Sequence, residues 1–157
     1  MARRNTWSAT AAVLAAAVTT GTAGAQILVQ KGIAGVRLGN TEGQVRAALG
    51  RPQSITLTSQ PTRLKHLIFA SGTTVSIFRG SGRVVNVDTI NRRERTPSGV
   101  GIGSTKTAIH AGIRQVICPV DEPLVCRVGV LEAGRVSTDF LFRHGKVWRV
   151  NIGVLLD

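Results

Sequence analysis

The chain has 157 residues, enough for one ordinary domain or for two small ones that share a core. It carries 20 Lys and Arg against 8 Asp and Glu, a formal net charge of +12, and only two cysteines. That balance favours polyanions or simple solubility by charge. With no further ligand at metal spacing beside the two cysteines, it excludes a zinc site.

Residues 1–25 read as an export signal. Arg3 and Arg4 supply the positive segment, an apolar run covers 9–18, and Ala23-Gly24-Ala25 is a small-residue cleavage site that leaves Gln26 first. The run is too short to span a bilayer as a helix. The competing reading is the ordinary N-terminal helix of a cytosolic protein. Asn5-Thr6-Trp7 lacks the apolar pattern of a twin-arginine signal, so the general secretory route is expected. No Cys follows the run, so no lipid anchor is expected, and no later stretch is long and apolar enough to cross a membrane. Cleavage leaves 18 basic and 8 acidic residues, unevenly spread: 11 and 3 over 26–97, but 7 and 5 over 98–157.

Thr41 followed by Gln44 forms a capping box, and Val45, Ala48 and Leu49 make one apolar stripe. Gly50 suits a left-handed C-cap and Pro52 stops the helix. A weak strand signal at 54–58 precedes firmer ones at 63–70, 73–79 and 83–90, joined by short Gly-bearing turns. The last of these alternates with period two, placing Val85 and Val87 on one face and Asn86 and Asp88 on the other. Residues 91–98, with Arg92, Arg93 and Arg95, read as a polar linker. A second helix starts at Ser104 or Thr105 and carries Ile109, Gly112 and Ile113. Ala108 stands where Gln44 completed the first box, and Gly112 costs about 1 kcal/mol relative to Ala. Further strands are expected at 125–131, 135–143 and 146–155. The last turns Trp148 and Val150 to the core, and Arg149 and Asn151 to water. Cys118 and Cys126 flank a loop pinned by Pro119 and Pro123, and in an exported chain they read as a structural disulfide. A redox pair would want C-x-x-C.

These elements recur 64 residues apart. Gly35-Val36-Arg37-Leu38-Gly39-Asn40-Thr41 returns as Gly99-Val100-Gly101-Ile102-Gly103-Ser104-Thr105. Phe78-Arg79-Gly80-Ser81-Gly82-Arg83-Val84-Val85-Asn86-Val87 returns as Phe142-Arg143-His144-Gly145-Lys146-Val147-Trp148-Arg149-Val150. Such self-similarity means one supersecondary unit used twice. The expected fold is α+β with two tandem repeats, over 26–97 and 98–157, each a short helical segment packed on a three-stranded antiparallel sheet. The run Gly39-Asn40-Thr41-Glu42-Gly43-Gln44-Val45-Arg46-Ala47-Ala48-Leu49-Gly50-Arg51-Pro52 resembles the helix signature of the BamE outer-membrane assembly lipoprotein superfamily. That superfamily folds as short helices on a three-stranded antiparallel sheet. A tandem of such units, with one Cys after the second helix and another on the following strand, is similar to the secreted β-lactamase inhibitory proteins. The resemblance covers most of 33–155 and implies this fold in a secreted protein.

Chemistry-bearing motifs are sparse. His66, His110 and His144 fall on a strand, a helix and a hairpin turn, with no nucleophile motif beside them. Gly99–Lys106 is glycine-rich before a helix but lacks G-K-[ST], so it reads as a turn rather than a phosphate loop. The acidic residues form no paired-carboxylate motif. No catalytic residue, metal or cofactor is expected. Period two puts Asn86, Asp88, Arg149 and Asn151 on one free sheet face, with Arg79 and Arg143, equivalent residues just before the two turns, at its edge. Arg presents a planar fork of donors that suits interface pairing and acidic ligands. The expected role is an exported, non-enzymatic binding module that engages a protein or polymer outside the cytoplasm through this face. The second reading is a basic polyanion-binding protein of the cell envelope, and an enzyme stands third. The expected partner is an extracellular or envelope protein or an anionic polymer, with no specific nucleic acid.

Overall fold

The computed structural model describes residues 26–59, 63–119 and 124–156, so residues 1–25, where an export signal is expected, and the tip of the Cys118–Cys126 loop lie outside the described residues. Three two-residue strands open the chain: β1 (Ile27–Leu28), β2 (Gly32–Ile33) and β3 (Val36–Arg37). Then come α1 (Glu42–Leu49), β4 (Ser54–Leu57), β5 (Leu64–Ile68), β6 (Thr73–Phe78) and β7 (Arg83–Thr89). The remainder is α2 (Lys106–Gly112), β8 (Val116–Ile117), β9 (Val125–Val128), β10 (Val136–Arg143) and β11 (Lys146–Val154).

Both helices begin where their caps dictate. The Thr41 hydroxyl accepts the Gln44 amide at 3.3 Å, and the Gln44 side chain accepts the Thr41 amide at 2.9 Å, completing the box. Thr105 accepts the Ala108 amide at 3.2 Å without a reciprocal bond. Gly112 has a packing reason: a Cβ there would stand 2.7 Å from Val100 Cγ2 and 3.0 Å from Ser98 Oγ. The helix therefore docks on this segment only because it carries no side chain at that point. Val45 and Ile109 are fully buried, Ile113 is buried, and Leu49 packs on the core from the side, whereas Ala48 is exposed.

The expectation of two three-stranded sheets needs correcting. β4 to β11 form one eight-stranded sheet, ordered β4-β5-β6-β7-β11-β10-β9-β8, with every neighbouring pair antiparallel. The halves are joined by β7 and β11, where Asn86, Val87, Asp88 and Thr89 pair with Gly153, Ile152, Asn151 and Val150. The weak signal after α1 becomes β4, and Val116–Ile117 adds β8, so each half contributes four strands. Two-stranded edges left open in the middle of the molecule would expose unpaired amides, and pairing β7 with β11 removes both at once. The helix entries bond to the sheet in matching ways. Gly39 donates to the Val84 carbonyl at 2.8 Å and Val84 to that of Asn40 at 2.9 Å. Gly103 donates to Val147 at 2.7 Å and Val147 to Ser104 at 2.9 Å.

One sheet face is covered by α1, α2 and the small β1-β2-β3 sheet, which bury Ile27, Ile33, Val36, Val45 and Ile109 against Leu67, Val75, Val87, Phe140, Val150 and Ile152. Simple alternation fails near the start of β7 and of β11. Ser76 pairs with Asn86 and Ile77 with Val84, leaving Val85 as the extra residue of a bulge. Leu141 pairs with Arg149 and Phe142 with Val147, leaving Trp148 in the same position. An extra residue shifts every side chain before it to the other face. Val84 and Val147 are consequently in the core, while Val85 and Trp148 are half-buried. Trp148 is not the core residue that the alternation predicts.

Residues 91–98 are not a solvated linker throughout. Arg92 and Arg93 are exposed, but Thr96 is buried, Glu94 is 1% exposed, and the Arg95 carbonyl accepts the Ile27 amide at 2.9 Å. Thr73 donates to Glu94 Oε1 at 3.2 Å and Asn91 at 3.5 Å, while Oε2 has no hydrogen-bond partner among the described residues. Burial pushes the carboxyl above its ordinary value of 4.5, against hydrogen bonds from Thr89, Thr73 and Asn91 that pull it down. The folded state thus holds this proton more tightly than the unfolded state. The stability the group contributes is full below about 4.5 and is lost as pH rises through the raised value. Denaturant titrations of the wild type and Glu94→Gln should therefore diverge with rising pH, the variant gaining in relative stability. Parallel pH profiles would show that Glu94 titrates alike in both states.

Candidate binding face

Both helices and the small sheet lie on one side, and among the described residues no helix covers the other side of the eight-stranded sheet. Register sets what it presents. One row across the sheet is Thr74, Asp88, Asn151, Asp139 and Arg127; the next is His66, Ser76, Asn86, Gly153 and Ser137. The predicted residues Asn86, Asp88, Arg149 and Asn151 come together at the β7–β11 seam. Asn86 Nδ2 donates to Asn151 Oδ1 at 2.6 Å. A Cβ on Gly153 would stand 2.6 Å from that same Nδ2, so the glycine makes room for the Asn86 side chain.

The charges on this face are partly spent on one another. Arg127 grips Asp139 with two bonds, Nε to Oδ1 at 2.7 Å and Nη2 to Oδ2 at 3.2 Å, the forked geometry that suits a guanidinium to a carboxylate. Asp88 is less well served: Arg149 Nε stands 3.7 Å from its Oδ1, beyond hydrogen-bond range. That Nε is itself buried and has no hydrogen-bond partner among the described residues. Burial raises the Asp88 carboxyl above its ordinary value of 3.8, against the opposing pull of Arg149 and His66.

Arg143 and Arg149 both stack near the half-buried indole, each guanidinium carbon 4.6 Å from the Trp148 ring centroid. Arg79 does not join them. The β6–β7 turn that follows Arg79 and the β10–β11 turn that follows Arg143 lie at opposite ends of the sheet, because β7 and β11 run antiparallel. Sequence equivalence gives the two arginines the same place within each half, and the antiparallel seam then separates them. The arginine trio expected along one edge is therefore split.

His66 is the histidine that lands beside other polar groups. Its Nδ1 lies 2.9 Å from Ser76 Oγ and its Nε2 3.1 Å from Thr58 Oγ1. Both ring nitrogens thus meet hydroxyls, and among the described residues no carboxylate bonds to the ring as the orienting member of an acyl-transfer triad does. His110 and His144 are exposed and separate. The glycine-rich turn before α2 keeps its amides for itself: Gly99 donates to the Thr96 carbonyl at 2.8 Å, Val100 to Thr96 Oγ1 at 3.0 Å, and Gly101 to Ser104 Oγ at 3.1 Å. Those amides are not free for an anion. Cys118 and Cys126 form the expected disulfide, and no helix among the described residues is long and apolar enough to cross a membrane.

No protein-family model matches the chain, and no curated protein matches it. Its fold is similar to part of an extracellular protein containing a SCP domain from Bacillus anthracis str. Ames, with a TM-score of 0.57 and 12% identity over 74% of this chain. The chain spans 44% of the length of that protein. A DUF4309 family protein (YjgB) from Bacillus subtilis subsp. subtilis str. 168 matches with a TM-score of 0.42 and 15% identity, over 74% of this chain and 79% of its own. The uncharacterized protein yfeY from Escherichia coli matches with a TM-score of 0.48 and 13% identity, over 84% of this chain and 99% of its own.

Proposed function

We propose that this is an exported, non-enzymatic binding protein, made of two copies of one helix-and-meander unit, that engages a protein or polymer outside the cytoplasm through its open sheet face. The observation that carries the reading is the one-sided architecture. Both helices of the described residues cover one face, and the other presents a polar row through the seam of Asp88, Asn151 and Asp139. The duplication is supported by the paired amide bonds at Gly39 and Gly103, the caps at Thr41 and Thr105, and the bulges at Val85 and Trp148. The Gly39–Pro52 motif keeps the likeness to BamE-type and β-lactamase-inhibitory units as part of the proposal. Export is supported by the disulfide, stable in an oxidising compartment, by the signal-like first 25 residues, and by the fold likeness to an extracellular protein.

The second reading, a basic envelope protein that holds polyanions, draws on the excess of 18 basic over 8 acidic residues from position 26 onward. Salt separates the two. Purely electrostatic capture weakens steeply as the screening length shrinks, whereas an interface with an apolar core does not. The experiment is a pull-down from extracellular fractions at low and high salt, repeated with Asn151→Ala, Arg149→Ala and Arg79→Ala. Capture that survives high salt, falls at least about tenfold with the two seam variants (about 1.4 kcal/mol) and is untouched by Arg79→Ala supports the face. Seam variants that bind like the wild type reject it, and capture abolished by salt transfers the role to polyanions.

A further inference from the structure

The open face is not the only recess on the molecule. At the β10–β11 end of the sheet a cavity of about 540 Å³ lies between the start of β11, the chain just after β7 and the turn before α2. That is within the range of small-molecule sites, roughly 300–1,000 Å³. Four of its lining residues are strong cations, Arg92, Arg143, Lys146 and Arg149, and none is acidic. Among the described residues no carboxylate pairs with Arg92, Arg143 or Lys146, and the single contact of Arg149 with Asp88 is long at 3.7 Å.

Charge alone would fit any anion, but apart from His144 the rest of the wall is apolar. The Trp148 ring lines the cavity, brought there by the bulge that removes it from the core. Ile90 lines it too and remains 49% exposed despite its size. At the matching bulge of β7 the residues are Val85 and Asn86, in place of Trp148 and Arg149. The aromatic platform with a cation beside it therefore belongs to this end of the sheet. With Arg143 and Arg149 stacked on the ring, Trp148 and Ile90 offer apolar contact surface to a ligand body, and the same forked guanidiniums offer bidentate bonds to a carboxylate head.

We propose that this cavity is a binding site for a small organic monoanion, a carboxylate carried on an aromatic or alkyl body, and that it works whether or not the open face takes a partner. The head group sits among Arg143, Lys146 and Arg92, and the body lies on Trp148 and Ile90. The chain contains no Tyr and two Trp, so in full-length protein carrying Trp7→Phe all tryptophan emission, and the one indole N–H resonance, report on Trp148.

Titrating that protein with phenylacetate and with hexanoate should give a saturable change in both signals. Phenylacetamide, which lacks the charge, and acetate, which lacks the body, should each bind at least about tenfold more weakly. Arg143→Gln and Lys146→Gln should each weaken phenylacetate binding by about fivefold or more with an unchanged melting temperature, and Arg79→Gln at the far end of the sheet should have no effect. The proposal is overturned if neither carboxylate saturates below about 5 mM, a free energy near 3 kcal/mol. Equal binding of phenylacetamide would overturn it as well, because the cations would then be idle. So would tripolyphosphate binding more tightly than phenylacetate and surviving Trp148→Leu, since that would make the cavity a plain polyanion patch.

Discussion

Phe140→Ala lowers the free energy of unfolding by about 3–5 kcal/mol, the cost of deleting a large core side chain whose space does not collapse. Phe140 is completely buried and is among the bulkiest of the fully buried side chains. It pairs with Val150 on one side and Cys126 on the other, deep within the second half of the sheet. The informative part is where the loss is felt. β7 and β11 share four register pairs, and the buried cluster runs without interruption from Leu67 to Phe142. The first half cannot keep its own edge satisfied once β11 leaves, so both halves should melt together. With Trp7→Phe in the background, Trp148 fluorescence reports the second half, and far-ultraviolet dichroism reports the whole sheet. Coincident transitions at a lowered midpoint are the expected result. A residual dichroic transition at the wild-type midpoint would mean that residues 26–97 fold independently of the seam.

Helix starts were legible because capping is local chemistry: Thr41 and Gln44 satisfy each other within one turn. The strand positions followed from period two and glycine turns for the same reason. What escaped the sequence was set by contacts distant along the chain. The β7–β11 seam joins Asp88 to Asn151 and leaves no mark on either strand's pattern. The bulges at Val85 and Trp148 insert one residue each, so the alternation counted back from Asn86 or from Val150 gave the wrong side for everything before them. Glu94 looked like one more charge in a charged stretch, but Thr73 and Asn91 supply donors that only the folded chain brings to it. The strands β1 to β3 are two residues long, too short for any periodicity to register. Within the candidate site, Asn86, Asp88, Arg149 and Asn151 were readable as one face. The separation of Arg79 from Arg143 was not, because a recurring sequence pattern gives two residues like local surroundings but says nothing about how the two stretches are joined.

The sheet ends at β8, and there the disulfide carries the stability. β8 has two residues, Val116 and Ile117, paired only with Val128 and Arg127 of β9, and Ile117 is 64% exposed. So short an edge strand buries little apolar surface and could not hold its register alone. The Cys118–Cys126 bond, spanning a sequence separation of 8, ties the end of β8 to a β9 residue that is fully buried. In the chain-entropy model, closing a loop of this length stabilises the fold by about 2–3 kcal/mol. Cys118→Ala with Cys126→Ala should therefore lower the unfolding free energy by roughly that amount. Reduction of the wild type should do the same without altering a core side chain, and agreement between the two isolates the cross-link from the packing of Cys126. Hydrogen exchange gives the location: the amides of Val116 to Cys118 should lose protection on reduction, while those of Val87 and Ile152 at the seam keep theirs. Equal loss at edge and seam would instead make the bond a support for the whole sheet, and no change in stability would mean that β8 is held by packing alone.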